Sequence, residues 1–405
     1  GMDLIREIGY EEGALKLAIN VKGKCILLTC DTKTGKLVQE GEGKLQKTQE
    51  YLQEKPLTNA DKKYTNANDY NVFVRSPEND MNYVLDEYTL DGTFVRHIFI
   101  NNFHCTGKTW NLMYANNQEL IFHVEDDDLN NYLYTVPLVM ADGSSFPQIE
   151  KAKKICKCNV ELENAGQGDV YADSDYIVYQ DDVYQIHVYD RKKKKFIKIK
   201  GIPESNMYLN GLVGKYFILS NKPFKEKGKE KYAFSYYKIG SDQIHIMDPA
   251  CYTSAAAIGD EKRKQVIYGL RTGIWTYDLK QDKKKRLVKW NKKDYISEMC
   301  IRKDRLFVFT GEKDEVYSYS LTGKEKQLHY EKDFTETLKK FEQENELELV
   351  IDSIDVVNNK IYICSWRDDE YLMYFCYDPA TKQLKQVRKN DPEMFCFLLC
   401  RVGHW

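Results

Sequence analysis

The sequence predicts an all-β chain assembled from one repeated sheet, and three observations carry that prediction. A tyrosine closing a short apolar run recurs at Tyr88, Tyr134, Tyr189, Tyr237, Tyr277, Tyr319 and Tyr377. Neighbouring copies stand 40 to 58 residues apart, the period of a four-stranded β-propeller blade rather than of a helical solenoid. Around the repeat, 30 tyrosines and only 9 prolines favour strands over a disordered or collagen-like chain.

The fourth repeat shows the unit most plainly. Gly168 to Ala172 gives a first strand and Tyr176 to Tyr179 a second. An acidic turn leads to Tyr184 to Tyr189 as a third, and a lysine-rich turn to Phe196 to Ile199 as a fourth. Short β-rich runs joined by polar turns make an antiparallel meander. The sixth and seventh repeats follow the same order, with Ile274 to Asp278 and Val316 to Tyr319 as third strands. An earlier copy has Cys30 in the tyrosine's place, and its unit offers three strands, Ala14 to Asn20, Lys24 to Cys30 and Lys36 to Gln39. The C-terminus offers a surplus strand, Met394 to Cys400, so the ring is expected to close by pairing of N- and C-terminal strands. The count is then eight blades, with seven as the alternative, in a single domain spanning residues 1–405.

Two inserts interrupt the repeat. Residues 41–68 are polar and form a loop with a helical stretch, whereas 331–349 place Phe334, Leu338 and Phe341 at helical spacing in an amphipathic helix.

Charge is sorted by turn. Turns between second and third strands are acidic, as in Glu125 to Asp128, Asp181-Asp182, Glu312 to Glu315 and Asp368 to Glu370. Turns between third and fourth strands are basic, as in Arg191 to Lys195 and Lys280 to Arg286, so the ring is expected to have one acidic and one basic face. The fifth repeat, with Lys225 to Lys231 at the acidic position, breaks the rule. Overall charge is only −2, so no global field draws the chain to nucleic acid, and no apolar run is long enough to span a membrane as a helix.

The ligand-binding candidates follow from this sorting: Asp126, Asp127, Asp128, Asp181, Asp182, Asp368 and Asp369 on the acidic turns, with His187 and His245 in strands where they can face a central channel. Glu125 to Asn131 carries hard oxygen ligands but lacks the glycine and terminal glutamate of an EF-hand loop, and the seven histidines show no close metal-ligand spacing, so no metal is assigned. Cys156 and Cys158 form an isolated Cys-x-Cys pair, which offers a soft-metal or redox site. No nucleophile elbow is present.

Tyr189-Asp190, Tyr277-Asp278, Tyr319-Ser320 and Tyr377-Asp378, each ending an apolar run before a turn, resemble the blades of bacterial β-propellers of the PQQ-like and TolB-like kinds. The resemblance covers about Leu15 to Val387 and implies architecture, within a family of unknown function. A quinone enzyme of this shape is expected to show adjacent cysteines. The nearest pair here is Cys156-Lys157-Cys158, and no cofactor is expected.

The functional expectation is a non-catalytic binding protein that recognises a peptide, protein or glycan through its loops and an axial pocket. The alternative is a hydrolase or lyase working at the acidic-turn face of the channel. Eleven cysteines, mostly inside apolar strands, suit free thiols in the cytoplasm. Gly1-Met2 is expected to be a cleavage remnant before a native initiator, and an exported chain freed of its signal peptide is the alternative.

Overall fold

The computed structural model describes residues 2–11, 14–21, 24–31, 34, 36–43, 65–75, 84–90, 94–101, 110–126, 128–138, 148–158, 170–181, 184–202, 207–251, 256–290, 295–311, 315–332, 350–357, 360–367 and 371–386. Every regular element among them is a β-strand. The chain divides into two compact units, Gly1–Gln167 and Gly168–Trp405.

The first unit holds three four-stranded antiparallel meanders. Their strands are Met2–Glu11, Ala14–Val21, Lys24–Asp31 and Leu37–Gly43; then Thr65–Ala67, Asn71–Arg75, Val84–Thr89 and Phe94–Asn101; then Trp110–Ala115, Glu119–Glu125, Asn131–Pro137 and Lys153–Lys157. The second unit holds five. The fourth meander is Val170–Ala172, Tyr176–Gln180, Ile186–Asp190 and Lys195–Ile197, and the fifth is Tyr208–Val213, Tyr216–Glu226, Lys229–Lys238 and Ile244–Cys251. The sixth comprises Ala257–Asp260, Gln265–Leu270, Gly273–Asp278 and Lys283–Lys289. The seventh comprises Ile296–Arg302, Arg305–Thr310, Val316–Ser320 and Gln327–Lys332, and the eighth Val350–Val357, Lys360–Arg367, Tyr371–Asp378 and Gln383–Gln386.

Each of the seven recurring tyrosines lies in the third strand of its meander, and Cys30 lies in the third strand of the first. The motif has a mechanical cause. The rings of Tyr237, Tyr277 and Tyr319 are buried, while the hydroxyls of Tyr237 and Tyr277 turn back to the following turn, donating to the Ser241 carbonyl and to Asp282 Oδ1. The next residue shapes that turn. Asp190 Oδ1 accepts Lys193 N–H at 2.8 Å, Asp278 Oδ1 accepts Lys280 and Gln281 N–H at 2.8 Å, and Asp378 Oδ1 accepts Ala380 N–H at 2.9 Å. These are Asx turns, and the residue four places after each aspartate, Lys194, Asp282 or Lys382, adopts positive φ to reverse the chain. Tyr-Asp is thus a strand end and its turn written as two letters.

Within each unit, neighbouring described sheets bury a face against one another. In the first unit Phe73, Leu85 and Ile98 of the second meander pack on Trp110, Leu112 and Phe122 of the third. In the second unit one core joins Val178 and Val188 to Leu209, Phe217 and Tyr237, the next joins Phe234 and Tyr236 to Val266 and Tyr268, and a third joins Ile267 and Ile274 to Met299 and Val308. Such sheets are apolar on both faces, which only sheet-on-sheet stacking can satisfy. First strands touch so closely that a Cβ on Gly259 would stand 2.6 Å from Val213 Cγ2. Gly323, at φ +79°, lets the turn of the seventh meander lie on the Leu287 carbonyl, where a Cβ would sit 2.2 Å from the oxygen.

Three features depart from the sequence reading. The first meander takes its fourth strand from Met2–Glu11, which pairs antiparallel with Ala14–Val21, so it needs no strand from the C-terminus. The charged side chains of this stretch alternate with Leu4 and Ile5 too loosely to advertise a strand. Met394 to Cys400 lies outside the described residues, as does most of the 41–68 insert; of the helix expected over residues 331–349, Glu331 and Lys332 belong instead to the strand Gln327–Lys332, because they pair with Val356 and Asp355, and the remainder lies outside the described residues. Second, Gln148–Lys151, from the long connection after Pro137, adds a parallel fifth strand beside Phe94–Asn101. Third, Tyr330 to Lys332 pair edge to edge with Asp355 to Val357, fusing the seventh and eighth meanders into one eight-stranded sheet.

Candidate functional site

In a four-stranded meander the turn between second and third strands lies at one end, and the other two turns lie at the opposite end. The expected basic end is correspondingly mixed in charge, because first-to-second turns bring carboxylates to it beside the lysines of both turn classes. Lys192 Nζ is 2.7 Å from Asp175 Oδ1, Arg191 donates to the Asp173 carbonyl at 2.8 Å, and Lys262 Nζ is 3.0 Å from Asp304 Oδ1. Lys192 and Lys262 hold the Asp175 and Asp304 carboxyls below their usual range.

The other end carries the site. In the fourth meander Tyr176–Gln180 runs into a five-residue turn, Asp181 to Gln185, closed by Asp181 N–H to the Gln185 carbonyl at 3.0 Å and Tyr184 N–H to the Asp181 carbonyl at 3.0 Å. The Asp181 side chain is 6% exposed and uses both oxygens: Oδ1 accepts Gln185 N–H at 2.7 Å and Oδ2 lies 2.8 Å from His187 Nε2. His187 stacks on Tyr179 at 4.7 Å and meets the edge of Phe196, so its ring is fixed on two sides and still 23% exposed. Asp181 and His187, nominated separately by the sequence, are brought together here.

The turn presents Tyr184 at its tip. Its φ of 64° is a conformation that side chains other than glycine and asparagine seldom adopt. Tyr184 is 44% exposed, and its ring meets Tyr208 of the fifth meander edge-on at 5.7 Å. Desolvation, then the Tyr184 phenol, pushes the Tyr208 hydroxyl above its ordinary pKa. Below them, buried Gln180 donates Nε2–H to the Tyr184 and Met207 carbonyls at 3.1 and 2.6 Å, while its Oε1 accepts Leu209 N–H at 3.0 Å. Gln180 thereby clamps the turn to the neighbouring sheet. The only sequence signal for it is an amide ending an otherwise apolar strand.

The third meander, in the first unit, builds the same turn from Asp126 to Asn130. Asp126 N–H reaches the Asn130 carbonyl at 2.9 Å, Leu129 N–H reaches the Asp126 carbonyl at 3.0 Å, and Asp126 Oδ1 accepts Asn130 N–H at 2.9 Å. That last bond holds the Asp126 carboxyl below its usual pKa. Leu129, the counterpart of Tyr184, has φ 60° and is 74% exposed. Asp128 is exposed and donates its N–H to Asp126. The sequence reading grouped these residues by charge and missed the apolar tip, because only the fold reveals which turn residue is pushed outward.

The remaining nominations fare differently. His245 stands in the fourth strand of its meander, exposed and stacked on Tyr236 at 5.0 Å. His187 is in a third strand, and each histidine is positioned by stacking on a tyrosine of the adjacent strand. Asp127, Asp182, Asp368 and Asp369 lie outside the described residues. Burial pushes the Cys156 thiol up to about 12, which opposes a redox or thiolate-metal role for the Cys156–Cys158 pair. Among the described residues no group of three or more His, Cys, Asp or Glu is placed to hold a metal ion, and no helix is long and apolar enough to cross a membrane.

Two polar clusters went unnoticed in the sequence. Ser318 Oγ is 2.6 Å from His329 Nε2 and also accepts Arg305 Nε–H and Nη2–H at 3.0 and 2.8 Å. Ser318 is wholly buried, so the trio ties three strands together instead of facing a substrate. Asp248, 2% exposed, accepts from Tyr268 at 3.1 Å and Lys284 at 3.0 Å between the fifth and sixth meanders.

No family model and no curated protein matches the chain. Solved structures with some likeness include TolB from Acinetobacter baumannii, at 9% identity and TM-score 0.35 over 80% of this chain and 78% of that one. YCF48 bound to D1 peptide aligns at 10% identity and TM-score 0.39 over 77% and 92%. The β-propeller domain of the Trilobed protease from Pyrococcus furiosus aligns at 11% and 0.42 over 81% and 98%. All three scores lie below 0.5, and no activity or partner passes from these proteins to this chain.

Proposed function

We propose that the chain is an eight-bladed β-propeller acting as a non-catalytic binding protein, and that its second-to-third-strand turns recognise a polypeptide. The eight successive meanders support the blade reading. The observation that carries the function is Tyr184: a large ring held outward at positive φ, braced from beneath by Asp181 and Gln180. Positive φ recurs at Lys194, Asp282 and Lys382, where it reverses the chain; what sets Tyr184 apart is that the turn holds a large, 44% exposed ring outward. Leu129 repeats the arrangement on an acidic turn. An apolar tip flanked by carboxylates complements a segment bearing basic and apolar side chains. A glycan would gain little from Leu129.

The test is affinity capture with the intact chain, its Tyr184→Ala and Leu129→Ala variants, and parallel peptide and glycan arrays. Polypeptide partners lost from variants that melt like the parent support the reading; partners retained by both variants, or glycan binding alone, end it.

A second reading, a hydrolase or lyase at the same end, is favoured by the His187–Asp181 contact, since a buried carboxylate orienting a part-exposed imidazole is how general bases are held. Turnover abolished by His187→Ala would establish it. The free thiols of Cys156 and Cys376 support placing the protein in the cytoplasm, which fractionation of the expressing cells would check.

A further inference from the structure

Arg302 is a buried guanidinium that, among the described residues, pairs with no carboxylate. It ends the first strand of the seventh meander and is 8% exposed. Its Nη1–H donates to the Ile301 carbonyl next to it at 3.1 Å, and its Nε–H, also buried, meets no acceptor. A charge taken out of water without a partner is among the costliest things a fold can bury, so protein interiors rarely keep one.

The surroundings raise that cost. Arg302 pairs directly with Arg305 across the two-residue turn Lys303–Asp304, whose residues both take positive φ, 47° and 62°. Directly opposite residues put their side chains on one face of the sheet, where like charges repel. Arg305 does not relieve this, because Ser318 Oγ and the Glu325 carbonyl hold its fork in place. The nearby carboxylates are already in use: Asp304 Oδ1 lies 3.0 Å from Lys262 Nζ, and Glu325 Oε2 lies 3.5 Å from Arg305 Nη1. Arg302 to Arg305 and Lys324 to Lys326, on the two turns of this end, hold five cations and two carboxylates, a net charge of +3. What would satisfy the buried guanidinium is an anion. Its planar fork of N–H groups matches a carboxylate or a phosphoryl group, and the adjoining turn is exposed at Lys303 and Asp304. A bulky partner cannot reach a group so buried, whereas a single oxyanion can.

We propose that the end of the seventh meander at the Lys303–Asp304 turn is an oxyanion site, in which Arg302 takes a phosphate or carboxylate group and Arg305 adds to the positive field. The site lies on a first-to-second turn and does not rest on the polypeptide-binding reading. Isothermal titration of the full chain with inorganic phosphate, and separately with acetate, tests it, and the stronger binder tells which group is taken. Saturable binding of at least one is expected, weakened about tenfold or more in Arg302→Met and unchanged in Lys192→Met on the fourth meander. Arg302→Met keeps an apolar stem and discards the charge, so in anion-free buffer it should melt at or above the parent's temperature. A parent that binds neither anion, binding that survives intact in Arg302→Met, or an Arg302→Met that melts clearly below the parent in anion-free buffer would each overturn it.

Discussion

His187 Nε2 sits 2.8 Å from Asp181 Oδ2, and the opposite oxygen of that carboxylate holds the Gln185 N–H of the turn between them. One buried side chain therefore fixes both the histidine and the turn bearing Tyr184. Asp181→Ala is expected to destabilise the protein by about 1 to 3 kcal/mol, since it removes a charged acceptor from the Gln185 N–H and frees the imidazole. His187→Ala should cost less, and a double-mutant cycle by urea unfolding should give a coupling of about 0.5 kcal/mol or more. Strict additivity would show that the contact is incidental.

Tyr184→Gly separates function from folding. Glycine takes positive φ without strain, so stability should hold or rise by up to about 1 kcal/mol in chemical denaturation, while capture of the polypeptide partner is lost. A clear loss of stability would mean that the ring serves packing.

Tyr237→Phe removes only a hydroxyl, the one donated to the Ser241 carbonyl. A cost of about 1 kcal/mol is expected, against about 3 to 5 kcal/mol for Tyr237→Ala, which also empties a fully buried ring site. No loss in Tyr237→Phe would mean that the recurring residue is tyrosine for reasons other than its turn.

Acid should loosen the turns. Hydrogen bonds from Asn130 N–H to Asp126 and from Lys193 N–H to Asp190 hold both carboxyls below their usual range. A depressed folded value means stability that is present above the unfolded carboxyl pKa, near 4, and lost as pH falls through the folded one. Asp190→Asn, which keeps an acceptor without the charge, should flatten melting temperature between about pH 5 and 2 relative to the parent.

Cys156, with its thiol raised to about 12 by burial, should resist alkylation at pH 8 in the folded protein and react at an ordinary rate in urea. Mass spectrometry of the modified peptides reads this directly, and fast labelling of the folded chain would contradict the burial.

Periodicity alone determined that the chain is a succession of four-stranded meanders, and the tyrosine marked the third strand of seven of them. That information is local: strand alternation, an apolar run and an aspartate shaping the next turn all lie within a few residues. The tertiary structure decided the rest. Met2–Glu11 became a strand because a partner edge lay beside it, and Gln148–Lys151 joined a sheet that no local pattern names. Asp181 and His187 became a pair, and Gln180 a clamp between sheets, only once strands were in register and sheets were stacked. Contacts of that kind depend on distances between residues remote in the chain or on which side of a turn faces outward, and composition and spacing do not encode either. For the same reason the sequence could identify an acidic turn, while only folding showed that a tyrosine stands at its tip.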